Sequence, residues 1–156
     1  MEKNLVDEMI RISNEKLKLL NVILDLTKLE REYIDKEDMD KINGILDEKD
    51  NVINRIDKLN IQFLTCFSQL KKENNVNELD ELEIEDYPNL KELKEVVIEI
   101  KSTFMAISLI DDENNKEMAK GLEKIKANLK SIKKGQKAYK GYNKTLNESI
   151  LIDEKK

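Results

Sequence analysis

The stretch from Tyr33 to Leu70, YIDKEDMDKINGILDEKDNVINRIDKLNIQFLTCFSQL, constrains this chain more than any other. After the short polar break IDKED it continues for about ten helical turns with no Pro and a single Gly, Gly44. Its apolar residues keep a seven-residue beat. Ile42, Ile56, Phe63 and Leu70 share one register, in which Lys49 is the one polar member. Met39, Leu46, Ile53 and Phe67 share a second register, interrupted by Asn60, and Ile45, Val52, Leu59 and Cys66 widen the stripe. Adjacent registers of this kind make a face broader than the seam of a two-stranded coiled coil, so the helix must bury itself against a long partner.

The flanking sequence supplies partners. Within residues 2–35, Leu5, Ile12, Leu19, Leu26 and Tyr33 recur every seven, with Met9 and Ile23 four positions on and Val6, Leu17, Leu20 and Leu24 broadening the face. The break at 35–38 is short, and the Asp38 carboxylate is placed to cap the exposed amides of the next helix. A short connection makes the two helices antiparallel neighbours. Residues 1–70 therefore read as a helical hairpin with arms roughly 50 Å long.

Over 71–87 the periodicity dissolves. Glu78, Asp80, Glu81, Glu83, Glu85 and Asp86 gather there without a basic residue among them. No Gly stands at a calcium-loop position, so the segment reads as a solvated acidic linker ahead of a helix N-terminus, where the macrodipole favours acids. Pro88 suits the first turn of a third helix over 88–139. Leu90, Val97, Phe104, Asp111, Met118, Ile125 and Ile132 keep one register, and Leu93, Ile100, Ile107 and Asn114 another; Leu122 and Leu129 continue the stripe. The phase survives the polar island DDENN, which predicts one helix rather than two. Asp111 and Asn114 occupy apolar registers, where burial costs stability and can fix register.

Late in this helix nine Lys fall between Lys116 and Lys140. Aromatic side chains for base stacking are missing within it, and the run reads as a solvated face helped by cations near a helix C-terminus. Gly141 is a plausible stop. The tail over 140–156 sets Tyr142, Leu146, Ile150, Leu151 and Ile152 among polar residues, a composition expected of a mobile end that folds against its own domain or against a partner.

The fold class expected is therefore all-α: a long antiparallel hairpin plus a third long helix, a three-helix, coiled-coil-like bundle in one domain of 156 residues. Charged residues make up 39% and aromatic ones 4%, which suits long solvated helices with a modest core. A net charge of -5 and the scarcity of Arg argue against nucleic-acid binding. The chain has no His, so it lacks the commonest general base and metal ligand. Its four Gly are scattered rather than grouped in a phosphate loop, and no nucleophile has a recognisable partner. No enzyme activity, cofactor or metal is expected. The single cysteine, Cys66, on the apolar face of the central helix, reads as a buried, inert thiol. The N-terminus MEKNLVDEMIRIS lacks an apolar core of the signal-peptide kind, and no segment reaches transmembrane length. A cytoplasmic protein without membrane insertion is the expectation.

Two segments carry a family resemblance. In LLNVILDLTKLEREYIDKEDMDKINGILDEKDNVINRIDKL a long helix ends in a short acidic turn, followed by a helix with Lys49 and Asp50 at mid-arm. In DENNKEMAKGLEKIKANLKSIKKGQKAYKGY an asparagine pair interrupts the third helix and a Tyr-Gly element follows. Their order and spacing resemble the FlgN-type flagellar export chaperones, with the FliT-like chaperones the nearest relatives in kind. The resemblance implies a binder of hook-filament junction (hook-associated) proteins. Such a chaperone holds the C-terminal helical region of its substrate and delivers it to the membrane export gate. It further implies substrate binding by the C-terminal portion and gate docking by a tyrosine, for which Tyr139 is the best match and Tyr142 a close rival. In physical terms, Leu122, Ile125, Leu129 and Ile132 would line one side of a groove, and Leu146, Ile150 and Ile152, with Leu151 beside them, would close over a client helix; the competing expectation, favoured for the four helix positions, is plain intramolecular core. The alternative reading is a scaffolding coiled coil, with a homodimer burying the broad stripes.

Overall fold

A computed structural model describes residues 2–83 and 85–136, with side chains over 5–83 and 85–135. Its long helices are α1 (Glu2–Asp35), α2 (Met39–Asn74) and α3 (Leu90–Gln136), with a single 3-10 turn at Leu79–Glu81 and no strand among the described residues. The all-α architecture is the one the heptads predict.

The hairpin turn is built from local chemistry. The Tyr33 carbonyl accepts from the Asp38 amide at 3.0 Å, which closes α1. Glu37 takes a left-handed conformation, φ 57°, and the Asp38 carboxylate accepts from the Lys41 amide at 3.2 Å to open α2. From there the helices pair in antiparallel order. Glu30 meets Lys49. Leu19, Leu20 and Ile23 pack with Val52 and Ile56, and Val6 and Met9 pack with Leu70.

The chain divides into two compact units, residues 1–112 and 113–156, and α3 runs unbroken from one into the other through DDENN. In the first unit α3 completes both apolar clusters: Leu90 and Leu93 join Val6, Met9 and Leu70, and Ile107 joins the Leu19–Ile23 group. Burial of this aliphatic surface, worth about 25 cal/mol per Å² of apolar area, is what orders three helices that would be marginal alone.

The linker departs from the solvated reading. Its acids lie in solvent, but Leu82 and Tyr87 are buried in the first cluster. Asn74 Nδ2 donates to Tyr87 Oη at 2.7 Å. Asn75, in the left-handed region at φ 53°, ends α2, and the Val76 amide returns to the Lys71 carbonyl, a left-handed cap of the Schellman type. The linker thus closes the end of the core.

Two parts of the heptad pattern stay outside it. Met39, Leu46 and Ile53, the second register of α2, are exposed, and so is Phe104 of α3. The register places them beside the buried stripe; neighbours on the two sides of α2 cover only part of its width. Lys49, by contrast, keeps its apolar register and is buried. No helix among the described residues is long and apolar enough to cross a membrane.

Candidate partner-binding site

In the second unit the described residues form the C-terminal half of α3. Leu122, Ile125, Leu129 and Ile132 follow spacings of three, four and three, which sets them along one stripe of the helix. None of the four is buried: Leu122 and Leu129 are half-buried, and Ile125 and Ile132 exposed. Lys126 and Lys133 stand in solvent along one edge of the stripe, and Lys124, Lys130 and Lys134 on the far side of the helix. Lys120 pairs with Glu117 within the helix at 3.3 Å, an exposed contact worth little to stability. An apolar stripe with lysines along one edge is chemically suited to another amphipathic helix, with apolar burial as the driving force and the lysine stems extending the contact.

The structure thus brings four of the sequence-derived contact residues onto one face. The other six, Tyr139, Tyr142, Leu146, Ile150, Leu151 and Ile152, lie outside the described residues.

The strongest electrostatic feature lies in the first unit. Lys49 Nζ donates to Glu30 Oε1 and to Asp111 Oδ1, each at 3.0 Å. The Glu30 side chain is 5% exposed and that of Asp111 39%. Burial opposes the Lys49 charge, but the bonds to Asp111 and Glu30 outweigh it and hold its pKa above the ordinary 10.5. A lysine held between two carboxylates of two other helices, with Glu30 buried beside it, reads as structural. The sequence marked Lys49 and Asp111 as polar intruders on apolar registers; Glu30 was missed, although it stands seven residues after Ile23 on such a register itself. Cys66 is half-buried against the first cluster, and burial pushes its thiol up from the ordinary value. Among the described residues no group of His, Cys, Asp and Glu is arranged to hold a metal ion.

Residues 1–149 match the family model described as FlgN protein. No curated protein and no solved structure matches the chain.

Proposed function

The chain belongs to the FlgN family of flagellar export chaperones, and from that membership we propose that it acts in the cytoplasm on hook-filament junction proteins, holding the C-terminal helical region of the client and delivering it to the export gate. The match across 1–149 carries the proposal. The half-exposed stripe Leu122, Ile125, Leu129 and Ile132 supports it as the client-facing surface. A client helix laid along the stripe buries its own apolar face and is kept from premature assembly. The lysines of this half of α3, with Lys126 and Lys133 beside the stripe, attract acidic flanks of the client and speed encounter. The gate contact falls to Tyr139, with Tyr142 as its neighbour.

The test is co-purification of the full-length protein with the hook-filament junction protein of the same cells. Wild type is expected to bring it down in a stable complex, and I125E/I132E to lose it with helicity unchanged. Tyr139→Ala is expected to keep the client and lose export. A wild-type protein recovered only as its own oligomer, with no client, would overturn the chaperone assignment to this substrate class.

A further inference from the structure

The packing of the first unit is interrupted at one level of all three helices. Counting two heptads from Glu30, Lys49 and Asp111 toward the linker end of the bundle gives Lys16, Phe63 and Val97. None of the three is buried; each is half-buried. One heptad further on, Met9, Leu70 and Leu90 are all 0% exposed. One heptad back toward the triad, Ile23 and Ile56 are buried again, with Phe104 outside the core. The two apolar clusters end at this level. Phe63 and Val97 fringe the first, Leu59 and Ile100 fringe the second, and all four are half-buried.

Lys16 accounts for the interruption. It stands between Met9 and Ile23 on an apolar register of α1, and its neighbours one turn away, Ile12, Ser13, Leu19 and Leu20, are all buried. It therefore occupies the centre of the core-facing side of α1, not its edge. Lys49 holds the same kind of position with two carboxylates beside it. No carboxylate among the described residues pairs with Lys16, and burial alone draws its pKa below the ordinary 10.5. The residues at its level, Leu59, Asn60 and Phe63 of α2 and Val97 and Ile100 of α3, carry no charge. A cation without a partner keeps its ammonium in water and lays its stem along the apolar wall, so the layer does not close around it.

Two close-packed cores joined by a half-exposed layer pass little packing free energy from one to the other. We propose that the Lys16 layer is a joint that divides the first unit into two segments which open independently: a linker end built on Met9, Leu70 and Leu93, and a turn end built on Ile23, Ile56 and Ile107. Either segment exposes its apolar face while the other keeps the helices together. The lysine sets this behaviour, because an apolar residue at the same place would join the two clusters into one core.

Native-state hydrogen exchange of the full-length protein, read amide by amide by NMR, tests the joint. With Lys16 in place, Leu93→Ala is expected to speed exchange over 66–74 and 90–97 by about thirtyfold or more, the effect of a large-to-small change in a packed core. Residues 19–27 and 49–56 should stay within about twofold of their wild-type rates. Ile107→Val, a milder change, is expected to do the reverse, speeding 19–27 and 49–56 by about threefold or more and sparing the linker end. In the Lys16→Met background the layer closes, and each substitution should speed exchange at both ends. The proposal is overturned if either substitution speeds both ends alike with Lys16 in place, because the unit then opens as one. It is also overturned if Lys16→Met leaves the ends separate, because the lysine is then not what divides them. Should Leu93→Ala fail to fold, Ile107→Val read in both backgrounds decides the same question.

Discussion

Replacing Lys49 by Met removes the cation at the centre of a largely buried charge cluster of the first unit. The side chains are similar in length, so packing changes little and the electrostatic consequence is isolated. Two bonds of 3.0 Å disappear, but their losses are unequal. Asp111, 39% exposed, turns to water at small expense. Glu30, 5% exposed, is left as a buried carboxylate without its cation. Breaking a buried pair from one side costs about 3–5 kcal/mol, and nearly all of it falls on Glu30. Against a total stability of about 5–15 kcal/mol this is a large fraction. Urea unfolding followed by circular dichroism measures it directly. Removing Glu30 as well, in E30M/K49M, should recover most of the loss, because an apolar pair of similar volume replaces a desolvated one. The alkaline limb adds a second check. The folded-state pKa of Lys49 is raised above 10.5, so its contribution is complete below that value and fades as pH rises through the raised one. The wild-type advantage over K49M should therefore narrow above about pH 10.5. If K49M unfolds within about 1 kcal/mol of wild type at neutral pH, the triad does not hold the first unit together in the way its burial implies.

Glu37, at φ 57° in the hairpin turn, pays the left-handed penalty of a residue with a Cβ, so Glu37→Gly should raise stability by about 0.5–1 kcal/mol; an unchanged or lower melting temperature counts against it. Tyr87→Phe deletes the hydroxyl that accepts from Asn74 Nδ2 at 2.7 Å beneath the linker and should cost about 1–2 kcal/mol in the same urea assay, whereas a neutral result would return the linker to a merely solvated role. Burial raises the Cys66 thiol, Glu8 adding to the effect and Arg11 opposing it, so its reaction with a disulfide reagent at pH 8 should run slower than that of a free thiol; labelling at the free rate would show that the thiol stands in water.

Which parts of this fold were legible in the sequence follows from where the determining contacts lie. The hairpin turn is local: a polar break with Asp38 at its end specifies its own cap, and the Asp38–Lys41 bond follows. The continuity of α3 was legible because Phe104, Asp111 and Met118 keep phase through the polar island. Leu82 and Tyr87 were not, because two buried side chains in a 3-10 and turn segment leave no periodic trace. Exposure of Met39, Leu46, Ile53 and Phe104 was hidden for another reason: a heptad gives the direction of a face but not the width that its neighbours cover. At the candidate site, the stripe Leu122–Ile132 could be read from spacing alone.

The polar triad and the heptads answer different questions. Repeating apolar residues specify that three helices pack, yet a repeat is nearly indifferent to a slip of one heptad, about 10 Å along the axis. Each helix here carries a charge on an apolar register at one shared level: Glu30 seven after Ile23, Lys49 between Ile42 and Ile56, and Asp111 between Phe104 and Met118. Slide α3 by seven residues in either direction and most apolar matches persist, but Phe104 or Met118 replaces Asp111 opposite Lys49. The cation then has one carboxylate instead of two, and an apolar side chain presses on its ammonium. A slip of the hairpin arms likewise removes Glu30. The triad contributes little net stability relative to an apolar layer, since both signs of charge had to leave water. Its effect lies in the gap between registers, where a displaced α3 loses a charge-assisted bond that apolar packing cannot replace. That is why a chain otherwise rich in exposed charge places three of them on apolar positions.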